Sequence, residues 1–325
     1  MIYGFSESNG RLSAAQMHRR SDCHEGLLWL DVIDPTEQER AWIEQAYGYT
    51  LASYEDIGEI AASARFFRDA HGVHLNAYSL VTNGTGMAAD GRAFVLARNV
   101  AVAFDLVGNR LFTLHREDLP EFRTLRSGAE QIVAPIADAR DLLLELMERR
   151  MARAADLLQE MHGHLEVISR SIFDHRRPDM EQVLADLAHL EDSNSKGRLA
   201  LLDNLRSLKL LARASVLTDA QGERLDAVIT DVDSLVTHVS FFFSKIDFLM
   251  DSAMGMINIE QNKVIKLFSI AAVFFLPPTL VATVYGMNFE RMPELHWQYG
   301  YAFALVLMVL SAAATIWFFR RRGWL

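Results

Sequence analysis

Two stretches free of charged residues, Leu267–Tyr285 and Tyr301–Phe319, end a chain that elsewhere mixes charged and apolar positions. Each is about 19 residues long, near the ~20 that cross a ~30 Å hydrocarbon core. The pattern predicts two transmembrane helices, spanning about 267–286 and 301–319. Both lie near the C-terminus, so neither reads as a secretory signal, and the N-terminus shows no such pattern. Upstream, residues 1–134 carry short apolar or alternating runs at Leu27–Val32, Val73–Val81, Phe94–Ala97, Val100–Leu106 and Arg110–His115, which predict strands. Asp90-Gly91 predicts a hairpin turn. Asp34-Pro35-Thr36-Glu37 predicts a helix start with Asp34 as N-cap. Together these signals make an α/β domain.

From about Pro135 the apolar spacing turns helical, with Leu142, Leu143, Leu146 and Met147 set among Glu and Arg. Residues 135–222 read as a helical hairpin region, broken near Pro178, with its second helix at about 179–216 and a turn at Thr218–Gly222. Residues 223–266 read as a stalk helix. Arg224–Leu276 holds no proline and one glycine, Gly255. An unbroken helix of ~50 residues would reach ~75 Å at 1.5 Å per residue and run on into the first span. Residues 267–325 read as a transmembrane hairpin with a short basic tail. Pro277-Pro278 predicts a loosening or kink near mid-membrane.

Along this helix Asp251, Asn258, Asn262, Ile265, Ser269, Ala272, Leu276, Thr279 and Thr283 fall on one face, and most are small or polar. Polar atoms at membrane depth face protein or water, not lipid. The stripe is either a pore lining or a packing face, since Ser and Thr also serve as small contacts between membrane helices. Asn288, in Tyr285-Gly286-Met287-Asn288-Phe289 between the spans, caps it at one end. Two spans cannot enclose a water-filled path. A pore therefore needs several copies about an axis, and closed cyclic symmetry is the usual arrangement. Asn288 would become a ring of amide carbonyls suited to a hydrated hard cation, since Mg²⁺ gives up water reluctantly. Leu276 and Ile265 would become apolar constrictions that close by dewetting. Glu290 and Glu294 would draw cations to the outer mouth. No ionisable side chain of the Asp, Glu, Lys or Arg type lies within either span, which argues against a proton-relay carrier and for downhill conduction.

Charge sets the orientation. Lys263 and Lys266 precede the first span and Arg320, Arg321 and Arg322 follow the second, while the 286–300 loop has only Arg291 against Glu290 and Glu294. Basic residues favour the cytoplasmic side, so both termini are expected there. The net charge of −10 then lies in the cytosolic part, which argues against a nucleic-acid partner. The single cysteine, Cys23, excludes an internal disulfide framework. There is no Gly-rich phosphate loop and no nucleophile elbow, so neither an enzyme nor an organic cofactor is expected. His162 with His164, His71 with His74, and Asp22-Cys23-His24-Glu25 read as ordinary surface chemistry, not metal sites.

The run 285–289, followed by Met292-Pro293-Glu294-Leu295, Trp297, Gly300-Tyr301 and the basic 320–325 terminus, resembles the CorA family of magnesium channels. Met254–Asn262 and Leu276–Ala282 resemble its proteobacterial branch. The Gly-Met-Asn triplet is highly specific when it stands between two C-terminal spans. The resemblance is strong over about 245–325 and general upstream. It implies a funnel-shaped homopentamer in the bacterial inner membrane, with an α/β cytoplasmic domain and a stalk helix lining the pore. Gly286, Met287 and Asn288 would form its selectivity entrance. It also implies regulatory Mg²⁺ held by carboxylates between cytoplasmic domains, for which Asp231, Asp233 and Asp251 are candidates by position and charge. The expected function is a passive, membrane-potential-driven channel for divalent cations, Mg²⁺ first, with Co²⁺, Ni²⁺ or Zn²⁺ also permeating. One alternative is a Zn²⁺ transporter of the same family, coupled to protons. Another, from a different class, is a cytosolic sensor that uses the hairpin only as an anchor.

Overall fold

The computed structural model describes residues 1–8, 11–58, 65–87, 93–127, 136–173, 179–287, 292 and 297–322. The predicted Asp90-Gly91 turn, Pro178, Asn288, Glu290 and Glu294 lie outside the described residues. The chain divides into two compact units, Met1–Asp251 and Ser252–Leu325.

The first unit is built on a mixed sheet of β1 (Ile2–Ser8), β2 (Arg11–Met17), β3 (Trp29–Ile33), β4 (Phe66–Arg68), β5 (Gly72–Met87), β6 (Ala93–Val107) and β7 (Arg110–His115). The strand order is β2-β1-β3-β7-β6-β5-β4, and among the described residues β3–β7 is the one parallel pair. Alternation along the central strands supplies two cores. Leu30, Val32, Phe112 and Leu114 point to one side and pack with Ile43 of α1 (Glu37–Tyr47) and Ile57 of α2 (Tyr54–Gly58). Trp29 belongs to the other side, stacked on Phe5 at 3.9 Å and 6.0 Å from Phe122 of α3 (Pro120–Ser127). Over β5 and β6 lie α4 (Ala139–Phe173) and α5 (Met180–Arg213). Arg150 of α4 is buried there; its guanidinium donates to Tyr78 O at 2.9 Å and sits over the Phe104 ring. Burial lowers its pKa to about 10, against the raising influence of Glu121 and Asp203.

The last long helix of this unit, α6 (Asp219–Tyr285), starts in the first unit and ends in the second. Its start is clamped to α4. Gln221 Nε2 donates to Asp141 Oδ1 at 2.8 Å, and Arg224 reaches both Glu145 and Glu148 at 2.5–2.7 Å. Beyond this clamp Leu225, Val228, Val232, Val239, Phe242, Ile246 and Leu249 are buried at helical spacing. The second unit holds the rest of α6 and α7 (Gly300–Arg321).

The expected fold class holds: an α/β domain, a long helix and two C-terminal helices long and apolar enough to cross a membrane. Several local expectations are corrected. The runs 94–97 and 100–106 are one strand, β6, because Arg98 and Asn99 keep the ladder while their side chains find partners in Glu117 and the Lys196 carbonyl. The N-cap of α1 is Thr36, not Asp34. Thr36 Oγ1 accepts the Glu39 N–H at 3.2 Å and the Glu39 carboxylate accepts the Thr36 N–H at 2.8 Å, a reciprocal box one turn deep. Asp34 instead takes a left-handed turn, with φ of 41°. Thr218–Gly222 is not a separate turn, since α6 already begins at Asp219. Strands β1 and β2 escaped the sequence pattern. Gly4 interrupts the apolar run of β1, and a Cβ there would meet Leu27 at 2.9 Å and Met17 at 3.0 Å.

Candidate ion pathway

The membrane segments differ from a buried core. In their apolar windows 0 % of α6 and 6 % of α7 is buried, so these surfaces need lipid or other protein around them. Aromatic residues stand at both ends of α7, as at membrane interfaces. Trp297 lies 5.7 Å from Phe303 at the start, and Arg321 and Arg322 sit over Trp317 and Phe318 at the end.

From Asn258 to the end of α6 the half-buried positions are Ile270, Val273, Pro277, Pro278, Val281 and Tyr285. They recur every three or four residues and mark the face turned toward α7, where Ala304, Met308, Ser311, Ala312, Thr315 and Phe319 are the shielded positions. The predicted stripe lies about half a turn away, at roughly 100° per residue. Asn258, Asn262, Ile265, Ser269, Ala272, Leu276, Thr279 and Thr283 are all exposed, Ile265 at 61 % and Leu276 at 69 %. The chain thus brings the whole stripe to one open face of one helix. Thr279 Oγ1 donates to Phe275 O at 2.7 Å and Thr283 Oγ1 to Thr279 O at 2.8 Å, which leaves the hydroxyl lone pairs outward. The helix stays continuous through Pro277 and Pro278, although neither can donate to the carbonyls of Val273 and Phe274.

At the end of α6 Gly286 N–H donates to Ala282 O at 2.9 Å and Met287 N–H to Val284 O at 3.3 Å. A Cβ on Gly286 would press on Ala282 O at 3.2 Å, so the tight exit favours glycine. Sequence reasoning missed one contributor here. The C-terminus of a helix carries about half a negative charge on its free carbonyls. That end points its partial charge toward Met287, which is 45 % exposed.

The carboxylates proposed as regulatory ligands are placed separately. Asp231 and Asp233 are exposed on α6 in the first unit, and Asp251 is exposed at that unit's boundary. Among the described residues no group of three or more His, Cys, Asp or Glu side chains is arranged to hold a metal.

Of the histidines expected on the surface, His74 is corrected. It is 3 % exposed and is gripped by two carboxylates, Nδ1 at 2.8 Å from Asp105 and Nε2 at 3.1 Å from Asp69. Phe67 and Tyr49 stack on its two faces at 4.5 and 5.9 Å. Burial alone would lower its pKa, but the bonds and charge of Asp105, then Asp69, outweigh burial and raise it above 6.5. A carboxylate at each ring nitrogen favours the imidazolium. Its stabilising contribution is complete below the unfolded value and is lost as pH rises through the higher folded value. His74→Gln should therefore cost the full-length protein more thermal stability at pH 6 than at pH 9. An equal drop in melting midpoint at both would show the ring to be neutral.

An α/β unit that feeds one long helix into a two-span apolar hairpin defines a membrane protein with a large extramembrane part. A family model described as CorA-like Mg2+ transporter protein matches residues 24–321. The magnesium transport protein CorA of Yersinia pseudotuberculosis is 39% identical, and that of Escherichia coli K12 38% identical, each over 100% of both chains. The complete structure of a CorA magnesium transporter from Methanocaldococcus jannaschii matches with a TM-score of 0.76 at 18% identity, covering 100% of this chain and 99% of that one. The full-length CmaX protein matches with a TM-score of 0.69 at 18% identity, covering 98% and 96%. The chain belongs to the CorA family. Its relatives are named as transport proteins and not as enzymes, the class expected from the sequence.

Proposed function

We propose that this chain is a passive channel for divalent cations, with Mg²⁺ as its principal ion, formed by a homopentamer in the bacterial inner membrane with both termini in the cytoplasm. The observation that carries the reading is the stripe from Asn258 to Thr283, exposed on the face of α6 turned away from α7. In a ring of copies this face surrounds the axis. Asn258, Asn262, Ser269, Thr279 and Thr283 then offer neutral oxygens to a hydrated ion, and Ile265 and Leu276 narrow the path as apolar gates. Gly286, Met287 and Asn288 form the entrance, with Glu290 and Glu294 as an outer cation attractor. The stalk, residues 223–266, carries Asp231, Asp233 and Asp251, where intracellular Mg²⁺ bound between copies would favour the closed state.

The relatives' names support Mg²⁺ as the ion, and the absence of ionisable residues from the spans supports passive flow. Co²⁺, Ni²⁺ and Zn²⁺ would permeate less. The experiment is uptake into liposomes holding the purified chain, with Mg²⁺, Zn²⁺, Co²⁺ and Ni²⁺ in parallel. Imposed voltage, negative inside, should drive Mg²⁺ entry, and a pH gradient at zero voltage should not. Zn²⁺ entry that follows the pH gradient would replace this reading with proton-coupled zinc transport.

A further inference from the structure

Beside the exposed stripe, the hairpin leaves a groove of about 910 Å³ between α6 and α7. Its walls are apolar. Leu267, Ile270, Ala271 and Val273 lie across from Ile316 and Phe319, with Thr315 and Ser269, the one stripe residue that reaches this groove, as the polar side chains beside Lys266. A void of this size cannot stay empty in a bilayer, because its lining would forgo dispersion contacts, and it is too apolar to hold water. One end of the groove is basic. Lys266 lines it directly, and Arg320 follows Phe319. Neither cation has an ion-pair partner among the described residues.

We infer that this groove is a binding site for an anionic phospholipid, one acyl chain lying between the helices and the phosphate held by Lys266 and Arg320. Charge complementarity selects the occupant. Acyl chains of any phospholipid fit the walls, and a net negative head group answers the two cations at the membrane surface, neither of which is ion-paired among the described residues. A helix of a second copy is the competing occupant of this volume. The site rests on the reading of α6 and α7 as membrane helices, and not on the ion that the protein conducts.

Native mass spectrometry of the full-length protein in detergent tests the site, with phosphatidylglycerol or phosphatidylcholine of identical acyl chains added. Wild type should retain phosphatidylglycerol at about tenfold lower lipid concentration than phosphatidylcholine. Lys266→Gln/Arg320→Gln should erase that preference. Ala271→Trp, which fills the groove and keeps both charges, should lose retention of both lipids. Equal retention of the two lipids by wild type overturns the inference, as does undiminished phosphatidylglycerol on Ala271→Trp. A photo-crosslinker at position 271 that captures a second copy in place of lipid also overturns it. Mg²⁺ uptake and membrane extraction are scored on the same preparations. Equal retention of the two lipids by wild type with intact uptake removes only the lipid site, whereas a chain soluble without detergent removes the membrane reading itself.

Discussion

Asn288→Ala should abolish Mg²⁺ uptake into liposomes while leaving the assembled protein unchanged in size. In the proposed ring the side chain would offer a carbonyl oxygen to an ion that keeps its hydration shell, so each contact would be an ordinary hydrogen bond to bound water. One such bond contributes only about 0.5–1.5 kcal/mol. A ring of copies multiplies it, and the loss of several at once exceeds the ~2.7 kcal/mol that corresponds to a hundredfold fall in rate. The partial negative charge at the C-terminus of α6 remains in the variant, so cations still approach the mouth. What the variant would lack is the proposed collar of amide oxygens. Asn288→Asp separates field from geometry. It restores oxygens of the same reach with added charge, and should bind divalent ions tightly enough to slow their exit. Full uptake by Asn288→Ala would leave the hairpin as a simple anchor and revive the sensor reading.

The parts that were legible in the sequence are those encoded by neighbours along the chain. A charge-free run is a local property, so the end of α6 at Tyr285 and both ends of α7 could be placed closely. The stripe from Asn258 to Thr283 was legible because a helix converts a spacing of three and four into a face. Whether that face was open or packed was not legible, because the answer depends on where α7 lies. Burial of Ile270, Val273 and Val281 supplies that answer for the single chain. β7 could be bounded from alternation alone, yet β6 was split at Arg98 and Asn99, whose partners Glu117 and Lys196 lie far along the chain. The buried charge clusters were wholly hidden. His74 pairs with Asp105, 31 residues away, and His115 with Asp31, 84 residues away. A charged residue inside a strand reads as solvent-facing until its partner is known, and no periodicity names the partner.

Replacing Asp31 by Ala should lower the stability of the first unit by about 3–5 kcal/mol, the usual cost of removing one member of a buried ion cluster. Asp31 is fully buried at the middle of the sheet. Its Oδ1 accepts from Thr113 Oγ1 at 2.8 Å and from His115 Nε2 at 2.7 Å, while Oδ2 pairs with Arg126. His115 is also fully buried and gives its Nδ1 proton to Glu117 O at 2.6 Å. Burial would lower the His115 pKa, but the Asp31 charge and its hydrogen bond outweigh that and hold it up. The truncation therefore strands an imidazolium and a guanidinium together, with no carboxylate between them and little water to replace it. Arg126 can still lean on Asp118, but His115 must shed its proton or remain an unpaired charge. For a unit of this size the loss lowers the thermal midpoint of the full-length protein by on the order of 10 °C. Asp31→Leu/His115→Phe/Arg126→Met should recover most of it, because the cluster is costly mainly when broken and not when replaced by packed apolar groups. A loss below ~1 kcal/mol in the single variant would mean that the cluster contributes little to stability, and no recovery in the triple would mean that packed apolar groups cannot replace it.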